Sequence, residues 1–172
     1  FNGCTNLTTV VLPDNATVID NNMFYGNTKL SNVNIPASLT TIGSSAFYNT
    51  AINNITLPDS LKTINSSAFS DCTKLSAINI PDAVTIIDSN AFYNCSSLAT
   101  VTVGENAKFT LGQYAFRSSG VTDESVKNIL AHTGTAYPHI FDKCNSLVNI
   151  EPSVLWTNMF SNCTNLKTVK SS

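Results

Sequence analysis

The chain has 172 residues; 42% are hydrophobic, only 12% are charged, and the net charge is −2. Phosphate recognition needs clustered Lys and Arg, so this balance argues against a nucleic-acid partner, and none is expected. No apolar run reaches the about 18 residues that mark a transmembrane helix, so no membrane insertion is expected in this segment.

Phenylalanine recurs at positions 1, 24, 47, 69, 92, 116, 141 and 160. A fixed period of this size marks a solenoid of stacked coils rather than a globular core. The first coil carries Cys4, Leu7, Val10, Leu12 and Pro13 after its Phe. The second carries Leu30, Val33, Ile35 and Pro36, then Leu39, Ile42 and Ala46. The third lacks one residue before Ile52 and then resumes with Ile55, Leu57, Pro58, Leu61, Ile64 and Ala68. The fourth, from Phe69, is the most regular: Cys72, Leu75, Ile78, Ile80, Pro81, Val84, Ile87 and Ala91. In each coil the L-x-x-I-x-I segment places two side chains on one face of a short strand. Pro ends that strand, because it cannot donate to a ladder. A second extended piece such as Leu39 to Ile42 runs back on the opposite side, and Phe fills the space between the two walls.

The rhythm breaks after Val103, and the section 104–140 is irregular. One helix is predicted near 122–133. Thr122 is placed as its N-cap, with Asp123 and Glu124 favouring the dipole in the first turn. Val121 and Val126 have the spacing of a hydrophobic staple. Val126, Ile129 and Leu130 make one apolar face, and Gly134 is the expected stop. This helix is expected to replace the convex arm of one coil, and residues 134–140, with Tyr137-Pro138-His139, to form a loop. The copy from Phe141 is short, and Trp156 within it is expected to fill the core or a groove.

The five cysteines, an odd number, argue against a closed disulfide framework. Cys4, Cys72, Cys95, Cys144 and Cys163 each stand three residues after a repeat Phe, where other coils have Asn27, Thr50 and Ser119. A position that accepts Cys, Asn, Thr or Ser is small and faces backbone groups at a turn. Buried thiols are the principal expectation; disulfides between Cys72 and Cys95 or Cys144 and Cys163, and metal binding, are the alternatives.

Three segments together carry a family resemblance: the recurring I-P, the I-x-x-x-A-F stretch (Ile42 to Phe47, Ile64 to Phe69, Ile87 to Phe92) and F-x-x-C-x-x-L (Phe92 to Leu98, Phe141 to Leu147, Phe160 to Leu166). The chain resembles the BspA-type leucine-rich repeat, a 23-residue variant of bacterial and protozoan surface proteins. That resemblance implies a β-rich α/β solenoid: a right-handed leucine-rich repeat stack with a parallel concave sheet, plus the one short helix. Residues 1–172 then form a single solenoid of about seven repeats, expected to be an excerpt of a longer chain.

No catalytic constellation is found. His132 and His139 have no partner at ligand or triad spacing, and there is no G-x-S-x-G, H-E-x-x-H or phosphate-cradling loop. No enzyme activity, cofactor or metal is expected. The sequons at Asn6, Asn15 and Asn65 follow from the repeat composition and matter only in a glycosylating host.

The candidate surface is the outward parity of the concave strands, rich in Asn and Thr and nearly free of aromatics. Asn32, Asn34, Asn54, Thr56, Asn79, Thr100 and Thr102 are the candidate ligand-binding residues. The family resemblance implies an extracellular or cell-surface adhesion and recognition module, binding a host protein or glycan and expected to be monomeric. The alternative is a structural spacer within a larger cell-surface protein.

Overall fold

The structure, a computed structural model, describes residues 1–152 and 154–170. It is a parallel β-solenoid of about seven turns with a single helix among the described residues. Each coil contributes a first arm, from the L-x-x-I-x-I segment, and a second arm after the Pro turn. The first-arm strands are β1 (Thr9–Val11), β3 (Asn32–Asn34), β6 (Ala77–Ile80), β8 (Thr100–Val103), β11 (Asn149–Ile150) and β12 (Thr168–Val169). The second-arm strands are β2 (Val18–Ile19), β4 (Thr41–Ile42), β5 (Thr63–Ile64), β7 (Ile86–Ile87), β9 (Phe109–Leu111) and β10 (Thr133–Ala136). Every pairing is parallel, and equivalent residues pair, as in Ile42 with Ile64 and Val10 with Val33.

The continuous sheet is not the one expected. The second-arm strands form one six-stranded sheet in the order β10-β9-β7-β5-β4-β2, although most are two residues long. The first arm, predicted to carry the parallel concave sheet, is divided into three pairs, β1-β3, β6-β8 and β11-β12. It is interrupted at the third coil and at the sixth.

Between the arms runs the phenylalanine column. All eight periodic rings stack on their neighbours, with centroids 5.1 to 6.0 Å apart and planes within 21°. From Phe24 to Phe141 the column is fully buried. A backbone seam accompanies it: the amides of Phe24, Phe47, Phe69 and Phe92 donate to the carbonyls of Ala46, Ala68, Ala91 and Ala115 of the next coil, each at 2.8 Å. The residues two before and two after most repeat Phe residues have positive φ, among them Asn22, Ser45, Asn49, Ser67, Asp71, Asn90 and Asn94. Short polar side chains tolerate this left-handed region. That requirement accounts for the abundance of Asn and Ser at these positions.

The Pro turns work as expected. The carbonyls of Pro36, Pro58 and Pro81 accept from Leu39, Leu61 and Val84, which swings the chain into the second arm. Ser38 and Ser60 brace these turns through bonds of 2.6 to 2.7 Å to carbonyls of the preceding coil.

The helix, α1, spans Asp123–Ala131. Thr122 caps it by accepting from the Ser125 amide, and Val126, Ile129 and Leu130 are buried. Two expectations about it are corrected. It replaces not the convex arm but the first-arm strand of the sixth coil, and it packs between β8 and β11. It also ends at Ala131, where the His132 amide and the Thr133 hydroxyl take the last carbonyls; Gly134 lies inside β10, which pairs with β9 where a loop was expected. Trp156 is partly buried against the core, the filler role foreseen for it.

Candidate functional site

The seven candidate residues are all solvent-exposed on the first arm. They line two adjoining depressions. The larger, about 840 Å³, lies between the second and third coils and is bordered by Asn32, Asn34, Asn54 and Thr56. The smaller, about 260 Å³, spans the third to fifth coils and is bordered by Asn54, Thr56, Asn79, Thr100 and Thr102. Asn54 and Thr56 sit on the wall shared by both. Neither depression is lined by an ionisable side chain.

The residues reach these positions by strand parity. Val33, Ile78 and Val101 point inward, so their neighbours point out. On the outer face Thr102 donates to Asn79 Oδ1 at 2.8 Å, and Thr168 to Asn149 Oδ1 at 2.7 Å. Such Thr–Asn pairs hold the amide groups in place across adjacent coils. Below the second depression, Asp82 accepts from the Asn106 amide (3.2 Å) and its side chain (3.1 Å).

The cysteine position faces the backbone, as predicted. Cys72, Cys95, Cys144 and Cys163 each donate to the carbonyl of the Phe one coil earlier, at 3.0 to 3.1 Å. All five cysteines are free thiols, and only Cys4 is exposed. Burial pushes the Cys72 thiol up to about 11 and the Cys144 thiol up to about 12. Thiols held this far above the ordinary range stay protonated at neutral pH, and the thiolate is the reactive form. Among the described residues no group of three His, Cys, Asp or Glu is placed to hold a metal ion.

A second cluster was not singled out in the sequence. The residue directly after the repeat Phe is Tyr25, Tyr48, Tyr93, Arg117 and Asp142 in five of the coils. Tyr25 and Tyr48 stack with centroids 4.5 Å apart. The Arg117 guanidinium lies over Tyr114 (4.9 Å) and Tyr93 (5.7 Å), and its Nε is 2.9 Å from Asp142 Oδ2. Tyr114 stacks on His139, and both have positive φ where other coils have Asn or Ser. A hydrogen bond to Asp71, reinforced by burial, pushes the Tyr48 phenol up to about 12. The signal was present as three Phe-Tyr dipeptides at repeat spacing. This ladder lies on the turn edge, away from the Asn and Thr face.

The family model of the BspA type leucine rich repeat region matches residues 1–122 and 112–172, with six copies. The chain belongs to this family. Among solved structures it is similar to the leucine-rich repeat protein of T. pallidum, at 26% identity and a TM-score of 0.66, covering 94% of this chain and 68% of that one. It is similar in fold to leucine-rich repeat proteins of Eubacterium ventriosum (18% identity, TM-score 0.61, 98% of this chain and 61% of that one) and Bacteroides ovatus (20%, 0.53, 100% and 62%). The chain thus spans 61% to 68% of the length of these three proteins. No curated protein matches the sequence. The family's fold generally serves binding and scaffolding. No helix among the described residues is long and apolar enough to cross a membrane.

Proposed function

We propose that the chain is a recognition module of a surface or secreted protein, binding a host protein or glycan through the first-arm face. The observation that carries this reading is the convergence of the seven Asn and Thr residues on two adjoining depressions of one face. Extended repeat faces of this kind are used for binding. Their uncharged side chains recognise by hydrogen bonds rather than by charge, and no Cys, His, acidic or basic side chain lines either depression.

The test is an array of extracellular-matrix proteins and glycans probed with the parent chain and with a variant carrying Asn32→Ala, Asn34→Ala, Asn54→Ala and Asn79→Ala. These side chains are exposed, so the melting temperature stays within a few degrees while binding falls. An array silent for both proteins would sink the proposal and leave the spacer reading.

A further inference from the structure

In a regular step of the first arm, one carbonyl accepts two amides from the next coil. Thr8 accepts from Ser31 and Asn32, Ser76 from Ala99 and Thr100, and Val148 from Lys167 and Thr168. The equivalent carbonyl of the second coil is Ser31, and no backbone amide donates to it. On the facing bank, none of the amides from Asn53 to Leu57 donates to a backbone carbonyl. The third coil's segment is accordingly not a strand, and the cleft of about 840 Å³ opens where the ladder should run.

The cause is the residue missing before Ile52. In the second and fourth coils the turn is closed by Leu30 donating to Asn27 (2.9 Å) and Leu75 to Cys72 (3.1 Å). Ile52 follows Thr50 by two residues instead of three, and it makes no such bond. The strand that follows never enters register with β3.

The sixth coil has the same shortened turn, with Ser119-Gly120-Val121 in place of Thr50-Ala51-Ile52. There the chain fills the opening itself. On the β8 side, Ser125 Oγ accepts from the Val101 amide (3.0 Å) and donates to the Ala99 carbonyl (2.8 Å). On the β11 side, the Asp123 carboxylate accepts from the amides of Val148 (2.9 Å) and Asn149 (3.0 Å). Two coil edges exposed by a shortened turn thus demand backbone-type donors and acceptors, and α1 supplies them. Ala99 and Val101 occupy the places in their coil that Ser31 and Val33 occupy in theirs. Alternation along the strand therefore aims the Ser31 carbonyl and the Val33 amide into the open cleft.

We infer that this cleft is a binding site for an uncharged, extended polypeptide segment, which adds to β3 as a further strand and pairs with Ser31 and Val33. The inference deepens the recognition reading above and rests on it. Strand addition draws its affinity from main-chain hydrogen bonds to such an edge. The lining is neutral, so it selects no charged ligand, and Asn32, Asn34 and Asn54 at the rim offer amides that match peptide groups. No aromatic side chain lines the cleft for a sugar to stack on, so the site favours peptide over glycan.

The test selects random linear ten-residue peptides on the immobilised parent chain. It compares them, and a glycan array, against a variant with one lysine inserted between Thr50 and Ala51. The insertion restores the regular turn and pairs the third coil with β3, closing the cleft. The selected peptides are expected to bind the variant at least about tenfold more weakly, and to lose as much on N-methylation of alternate backbone amides in one register but not the other. Hydrogen exchange on the parent covers the case in which the variant misfolds: added peptide should slow the amides of Val33 and residues 53–57. Equal binding to both proteins, indifference to N-methylation, or no slowing at these amides overturns the inference. Matrix or glycan binding that survives the insertion but not the four Asn→Ala changes removes the cleft proposal and keeps the recognition reading; loss of neither kind, with an array silent throughout, removes both.

Discussion

The position three residues after each phenylalanine shows how one small side chain is used to join two coils. The thiols of Cys72, Cys95, Cys144 and Cys163 there satisfy a carbonyl of the preceding coil and are shielded from solvent. A thiol reagent should therefore titrate one cysteine, Cys4, in the folded protein and five in denaturant; three or fewer in denaturant would mean that pairs are oxidised. The raised thiols also set an alkaline limit. Unfolded thiols ionise near pH 8.5, whereas Cys72 and Cys144 hold their protons to about 11 and 12. The folded state then binds more protons than the unfolded one, so stability is full below about pH 8.5 and declines as pH rises towards those values. Tyr48, pushed up to about 12, acts in the same direction. Urea midpoints that fall from about pH 8.5 upwards check this. Asn27 occupies the same position, fully buried, and neither its Oδ1 nor its Nδ2 has a hydrogen-bond partner among the described residues. An unsatisfied buried amide costs about 1–3 kcal/mol. Asn27→Cys should remove that cost and donate to the preceding carbonyl, raising stability by about 1 kcal/mol at unchanged m-value.

At the scale of the element, α1 is a strand substitute. Its N-terminal turn faces two sheet edges, and Asp123 alone takes two amides of the seventh coil. Asp123→Ala should cost about 1–2 kcal/mol, since hydrogen bonds to a charged acceptor are the stronger kind, while the two donors, half-buried Val148 and exposed Asn149, are within reach of water. It should also deprotect the amides of Val148 and Asn149 in hydrogen exchange, with partial recovery in Asp123→Asn; unchanged protection would show that solvent already serves them. The existence of this helix was legible from Thr122, the acidic first turn and the Val126, Ile129 and Leu130 face, because capping and periodicity are local. Its place in the stack was not, because that depends on counting from Phe116: Val121 takes the slot of the regular Leu, so the helix begins where the strand would. The missing residue before Ile52 was equally visible, yet its effect, an unpaired edge, emerges only when coils two and three are side by side. The candidate face was found by strand parity. The tyrosine ladder was not legible as a ladder, because Ser70 interrupts the Phe-Tyr series and the stacking of Tyr25 on Tyr48 and of Arg117 on Tyr93 exists only between coils.

Across the whole molecule, the third coil is held along its second arm, whereas its first arm is open towards the second coil and tied to the fourth through the Asn53 carbonyl, which accepts from the Ser76 amide at 3.3 Å. Its second arm is locked: Thr41 pairs with Thr63, Ile42 with Ile64, and Phe47 stacks on Phe69 at 5.2 Å. Its first arm has lost the ladder that neighbouring coils keep. In a stack whose stability sums nearest-neighbour interfaces, the step from the second coil to the third is therefore the weak one, but only on one side. Native-state hydrogen exchange should show it: amides 53–57 exchange by local opening, at rates close to those of unpaired residues, while the Thr63 amide of the same coil, bonded to Thr40, exchanges only with wider unfolding. Inserting one residue between Thr50 and Ala51 should protect both banks together. Two or three recovered backbone bonds, at about 0.5–1.5 kcal/mol each, less the cost of ordering the segment, predict a gain of about 1–2 kcal/mol in the chemical denaturation of the whole chain. Strong protection of residues 53–57 in the unaltered protein would show that the first-arm ladder is continuous after all. A parent chain that is slow at Thr63 and fast at 54 and 56 would instead show that a single deleted residue opened the cleft without loosening the stack.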